Sequence, residues 1–314
     1  MLSQKLALLI GLWFSFSCRA EFKPLVQFGD NPGELTASYF APKTSSPALS
    51  LVVLLHGCVQ KGESLAQQSG FKALAQAHNF MLLLPQQSTD NNVKGCFNWF
   101  SASDTTKNSG ESLSIKNMIL TMKKRYPLQD VYLAGLSAGG AMATSMLVNY
   151  PTLFRGGGVI AGIPYPCADS LIKAIACMRN GPSFSVNELV QSANSHNSKT
   201  TTWPNLLVIT GNNDNVVNPK NSIYIANQWA NLKKLSINSD QSKVNGYQIS
   251  QWVGIAKTVA VELLQIDNID HGMSVNPNIE MGGKEAPFLL KAPISSAIAL
   301  VNFWGLSKNH SIIQ

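Results

Sequence analysis

Ser137 stands in Gly135-Leu136-Ser137-Ala138-Gly139-Gly140, where the apolar run 131–134 meets a stretch of small residues. A serine between two glycines at such a junction has the pattern of a nucleophile elbow, a sharp strand-to-helix turn that holds the hydroxyl out at the carboxyl end of a strand. The turn demands strained dihedrals and close backbone contact, both of which a Cβ at Gly135 or Gly139 would obstruct. A serine hydroxyl is a poor nucleophile until a histidine takes its proton. That histidine in turn needs a carboxylate to fix its tautomer and stabilise the imidazolium.

With an elbow of this kind the expected chain order is serine, acid, histidine, the order of α/β hydrolases. Of the five histidines, His56 and His78 precede Ser137, His196 falls in a long connection and His310 lies in the terminal tail. His271 remains, in Ile269-Asp270-His271-Gly272 just after the last expected strand, and is the expected base. Asp214 follows the apolar run 206–210 and is the expected acid, although Asp among Asn and Gly is also an ordinary turn residue. Asp267 and Asp270 are rivals so close to His271 that their expected role is to shape its loop. The developing oxyanion needs two backbone donors, one from the residue after the serine and one from the loop after an earlier strand. Ala138 supplies the first. Leu54-Leu55-His56-Gly57-Cys58 has the form of the second loop, with the Cys58 N–H as expected donor and His56 as a loop anchor.

The elements that must position these groups alternate between β-rich runs and helical patterns, which predicts an α/β fold with a mostly parallel central sheet and helices on both faces. Strands are expected at 51–55, 80–84, 131–135, 158–161 and 206–210, and a β-rich stretch at 247–264. Helices are expected at 64–78, 112–125, 138–149 and 293–304. Pro127 should stop the second of these. Two segments break the rhythm: 90–109 is polar with embedded aromatics, and about 164–204 is far longer than a βα connection needs. No repeat or linker divides the chain, so one catalytic domain over 21–314 is expected, with that insertion.

Residues 1–20 read as a signal peptide, with Lys5 before the apolar run 6–16 and Cys18 and Ala20 at the −3 and −1 positions of a cut before Glu21. Secretion follows, extracellular or periplasmic. The alternative, a lipoprotein acylated at Cys18, meets Ser15 where such signals carry leucine. No later run is long and apolar enough to span a bilayer. Cleavage leaves Cys58, Cys96, Cys167 and Cys177, an even number in an oxidising compartment. Three pairings are possible, and the economical one joins 167 with 177 and 58 with 96; buried free thiols are the alternative.

Charged residues make up only 13% of the chain, about half the usual share, and two of the +7 net charges leave with Lys5 and Arg19. Lys and Arg are scattered and form no stripe interleaved with aromatics, so the composition argues against a nucleic-acid partner. The histidines lack metal-site spacing, the cysteines lack Cys-x-x-Cys units, and Gly156-Gly157-Gly158 enters a strand rather than opening a helix. No metal or cofactor is therefore expected.

The segments 54–60, 95–100, 135–142, 161–168 and 211–219 together resemble the family of secreted polyhydroxybutyrate depolymerases and the related feruloyl and acetylxylan esterases. The resemblance spans most of the mature chain and implies the α/β-hydrolase fold, with Ser137, Asp214 and His271 on the family's triad. It also implies that Cys58 and Cys96 pair, tying the oxyanion loop to an aromatic loop. Two departures stand out. Phe97 replaces a tryptophan that many members carry beside the cleft, and the chain ends at Gln314 without the polymer-binding module of many depolymerases. The expected activity is hydrolysis of poly(3-hydroxybutyrate) or its oligomers through an acyl-enzyme. The alternative is a carbohydrate esterase, and from another class, an inactive binding protein on a hydrolase fold. Phe97, Trp99, Phe100 and Tyr165 are expected to line the substrate groove, with loop packing as their other possible role.

Overall fold

A computed structural model describes residues 21–307, apart from positions 45, 48, 169, 198–201, 237 and 255–256. The expected signal segment 1–20 and His310 lie outside the described residues. The chain runs through β1 (Lys23–Pro24), β2 (Thr36–Phe40), β3 (Ser50–Leu55), α1 (Gly62–Gln68), α2 (Phe71–His78), β4 (Met81–Gln86) and the one-turn α3 (Ala102–Thr105). It continues through α4 (Gly110–Arg125), β5 (Asp130–Leu136), α5 (Ala138–Asn149), β6 (Gly156–Ile160), α6 (Leu171–Asn180), α7 (Val186–His196) and β7 (Asn205–Gly211). After α8 (Lys220–Leu232) come β8 (Asp240–Val244), β9 (Tyr247–Val253), β10 (Val259–Ile266), β11 (Met273–Val275), β12 (Leu289–Lys291) and α9 (Ser296–Phe303).

Ten strands form one sheet in the order β1-β2-β4-β3-β5-β6-β7-β10-β9-β8. Its centre, from β4 to β10, is parallel, and antiparallel strands flank it on both sides. Central strands covered on both faces must be apolar throughout, and β3 is an example. Leu51, Val53 and Leu55 join Met118 of α4, Met142 of α5 and Trp229 of α8 on one face. Val52 and Leu54 join Leu65 of α1, Phe71 of α2 and Leu300 of α9 on the other. Each such side chain contributes roughly 1.5–3 kcal/mol on burial. This is the α/β-hydrolase arrangement, with helices on both sides of a mostly parallel sheet.

The expected helix over 64–78 is two helices, α1 and α2, because Gly70 takes φ +96° between them and a Cβ there would lie 2.1 Å from the Met281 carbonyl oxygen. The apolar periodicity survives such a break, so the pattern alone did not reveal it. The β-rich stretch 247–264 is the antiparallel hairpin β9–β10. The long connection between β6 and β7 carries α6 and α7, and α7 opens on a capping box in which Ser185 and Glu188 satisfy each other's backbone N–H. Among the described residues, no helix is long and apolar enough to cross a membrane.

Candidate active site

The parallel strands β3, β5, β7 and β10 all deliver their following loops to the same edge of the sheet, the edge at which open α/β sheets bind ligands. Ser137 follows β5 with φ +56° and ψ −118°, outside the regions an L-residue ordinarily occupies. The strain is fixed by contact on both sides. A Cβ at Gly135 would lie 2.1 Å from the Gly139 oxygen, and one at Gly139 would lie 2.4 Å from the Leu55 oxygen. The Ser137 N–H is held by the Ile160 carbonyl at 2.9 Å, which ties the elbow to the neighbouring strand β6.

His271, between β10 and β11, places Nε2 2.8 Å from Ser137 Oγ and Nδ1 2.8 Å from Asp214 Oδ2. A carboxylate at Nδ1 holds the proton there and leaves Nε2 as the acceptor for the serine hydroxyl. Asp214 comes from the loop between β7 and α8. Its other oxygen, Oδ1, accepts the Val216 and Val217 N–H groups at 3.0 and 2.8 Å, which fixes the carboxylate plane. The rivals do other work. Asp270 accepts the N–H groups of Asn215 and His271 at 3.1 and 2.7 Å, and Asp267 accepts the Asn212 side-chain amide at 2.8 Å. Those backbone bonds, the one from Asn215 above all, hold the Asp270 carboxyl below its usual range.

The loop after β3 lies against the elbow: a Cβ on Gly57 would sit 3.5 Å from Ser137 Cβ. Gly57, Cys58, Ser137, Ala138 and His271 line one cavity of about 230 Å³. The N–H groups of Cys58 and Ala138 have no protein acceptor among the described residues. His56 is buried and stacks on Phe97 with ring centroids 4.9 Å apart. Its Nδ1 donates to the Gly57 carbonyl at 2.7 Å, and its Nε2 accepts the Gln87 N–H at 3.1 Å. Burial is the main reason that its pKa lies below the ordinary value, the Gly57 bond opposing it, so the ring is a neutral clamp on the loop.

Behind this clamp sits Glu111, fully buried at the start of α4 and absent from the expectations above. It accepts hydrogen bonds from Gln87 Nε2, from the Asn98 N–H at 2.9 Å and from Asn98 Nδ2 at 2.8 Å. Burial raises its carboxyl to about 8, against the pull of those donors. The signal was present in the sequence: Glu111 shares a helical face with Ile115, Met118 and Met122, and a carboxyl on an apolar stripe needs partners.

Both expected disulfides are formed, Cys58–Cys96 and Cys167–Cys177. The first ties the loop carrying Cys58 to the 96–98 segment that Glu111 holds. The second packs with Ala141, Ile163 and Val217, and Trp99 and Met178 lie partly buried against it.

Of the four aromatics expected in the groove, Trp99 alone lines the cavity. Phe97 does not, which corrects the expectation: the Cys96 disulfide folds its loop inward, and the ring is fully buried beneath His56. Phe100 packs edge-on against Trp99 at 5.8 Å, and the Tyr165 ring faces His196 at 6.0 Å in the insertion. The apolar wall comes instead from Ile163, Met178, Val216, Val217 and Phe288. Phe288 also stands edge-on to His271 with centroids 6.4 Å apart. These residues are dispersed along the chain and carry no local motif, so the sequence offered no way to group them.

Residues 35–246 match the family model described as Esterase PHB depolymerase. Poly(3-hydroxyalkanoate) depolymerase C of Paucimonas lemoignei is 33% identical over 287 residues, covering 89% of this chain and 69% of that protein. Feruloyl esterase B of Talaromyces stipitatus is 28% identical over 73% of this chain and 66% of its own length, so the chain spans about two thirds of either relative. Among solved structures, an acetyl xylan esterase from Aspergillus awamori superposes with a TM-score of 0.76 at 18% identity, covering 91% of this chain and 100% of that one. The chain therefore belongs to the esterase PHB depolymerase family, whose members are carboxylic ester hydrolases, and carries the α/β-hydrolase fold.

Proposed function

We propose that the protein is a secreted serine esterase that hydrolyses poly(3-hydroxyalkanoate), or its oligomers, through an acyl-enzyme on Ser137. The observation that carries this reading is the continuous hydrogen-bonded chain Asp214–His271–Ser137, at 2.8 Å per step, beside two uncommitted amides. In the first half-reaction Ser137 Oγ attacks the ester carbonyl while His271 Nε2 takes its proton. The Cys58 and Ala138 N–H groups hold the oxyanion. Collapse breaks the ester C–O bond, and the leaving alcohol departs with the proton from His271. Water then attacks the acyl-enzyme with His271 again as base, freeing the acid and restoring Ser137.

The polyester substrate rests on the likeness to the Paucimonas depolymerase and on a cavity whose walls are mainly apolar. Secretion is supported by the two disulfides, which persist in oxidising compartments. The likeness to feruloyl esterase B and to the acetyl xylan esterase fold favours a second reading, release of feruloyl or acetyl groups from carbohydrate. The deciding experiment is release of 3-hydroxybutyrate from amorphous polymer by the mature protein, beside feruloyl and acetyl esters and a Ser137→Ala control. Polymer hydrolysis lost in the control supports the first reading. Turnover of the carbohydrate esters alone transfers the protein to the second.

A further inference from the structure

The cavity at Ser137, about 230 Å³, falls below the roughly 300–1,000 Å³ of ordinary ligand pockets. A second cavity of about 900 Å³ opens on the far side of the loop after β3, and Val59 and Gln60 line both. The shared wall is rigid. Gln60 Oε1 accepts the Gly57 N–H at 2.9 Å, and its carbonyl accepts from Gln86 Nε2 at 3.4 Å. Val59 is held by its N–H to the Lys94 carbonyl at 2.8 Å and by the adjacent Cys58–Cys96 bond.

Val59 has φ +57° and is 66% exposed. A β-branched residue in the left-handed region is a true outlier that persists only where its surroundings impose it. Packing does not account for this one, because the side chain points largely to solvent. Val59 in this conformation lines both cavities with an apolar side chain.

We propose that the larger cavity binds the continuation of the substrate's own chain, which passes over Val59 from the ester at Ser137, so that this site sets preference for chain length. The proposal rests on the serine-esterase reading above. The lining combines apolar Leu84 and Val93 with the donors Thr89, Lys61 and Lys94. An aliphatic polyester offers the complement, since its repeat carries alkyl groups and carbonyl acceptors but no donor. The described lining holds one aromatic ring, Phe22, where a polyol chain would call for flat rings to stack on.

The test compares kcat/KM for methyl esters of 3-hydroxybutyrate from monomer to tetramer in the wild type, Val59→Gly and Val93→Glu. Glycine tolerates the Val59 backbone, and Val93 is 83% exposed, so its replacement does not threaten folding. The wild-type value should rise with chain length, and each variant should lower the tetramer-to-monomer ratio on the order of tenfold, the loss expected for one apolar contact. A wild-type value flat with length, or a ratio unchanged in either variant, overturns the proposal and leaves the esterase reading standing. Absence of turnover on every ester, monomer included, overturns the polyester reading and the proposal with it.

Discussion

Replacing Glu111 by glutamine separates the two forces that act on this buried carboxyl. Burial disfavours the charged form, while three N–H donors from Gln87 and Asn98 favour it. Burial prevails and raises the group from 4.5 to about 8. Over that interval the folded protein keeps a proton that the unfolded chain has released. The linked stability is therefore fully present below about pH 4.5 and is lost as the pH rises to about 8. At about 1.36 kcal/mol per pH unit, the loss is on the order of 5 kcal/mol.

Glu111→Gln abolishes the titration. It keeps an acceptor for the Gln87 and Asn98 side chains but turns a donor toward the Asn98 N–H, at a pH-independent cost of roughly 1–3 kcal/mol. Urea unfolding of both proteins, with disulfides intact, from about pH 5 to about pH 9 reads the difference directly. The wild type should lose several kcal/mol relative to the variant across that range, because His56 and the other titrating groups are common to both and cancel. A difference that stays constant with pH refutes the reasoning. It would mean that the three donors outweigh burial and that Glu111 is ionised throughout.

Gly135→Ala should abolish soluble, active protein, since its Cβ would lie 2.1 Å from the Gly139 oxygen and would drive α5 off β5; expression and thermal unfolding check this. Cys58→Ser should cost about 4 kcal/mol in urea unfolding by loop-closure entropy, because the Cys58–Cys96 bond closes a separation of 38 residues. His56, held neutral by burial, acts on stability in the opposite sense to Glu111: its contribution is present above pH 6.5 and is lost as the pH falls. His56→Gln should accordingly flatten the acid limb of stability against pH, although the variant is less stable at neutrality. Asp214→Asn should lower kcat by roughly 10⁴ with little change in unfolding, as loss of the correct histidine tautomer requires.

The sequence disclosed what local chemistry determines. The elbow was legible because Gly135, Ser137 and Gly139 fall within five consecutive residues, and Asp214 and His271 because each follows an apolar strand in the required order. The parallel centre of the sheet was legible because strands buried on both faces are continuously apolar. Long-range contact was not. Gly70 turns left-handed between α1 and α2 at a point where the Met281 carbonyl leaves no room for a Cβ, and Phe97 is buried beside the Cys58–Cys96 bond. Met178 and Phe288 reach the cavity from separate parts of the chain. The flanking strands β2 and β8 and the helices of the insertion lack a pattern strong enough to separate them from loops, and α8 falls outside the expected helices although one of its faces is buried.

The most direct test of the central claim is mass spectrometry of the mature protein after reaction with an organophosphonate ester, with Ser137→Ala and Asp214→Asn in parallel. Stoichiometric addition at Ser137, absent from Ser137→Ala and slowed by orders of magnitude in Asp214→Asn, is the expected result. Ester hydrolysis that persists in Ser137→Ala, or an adduct on another residue, would contradict the assignment of Ser137 as the nucleophile.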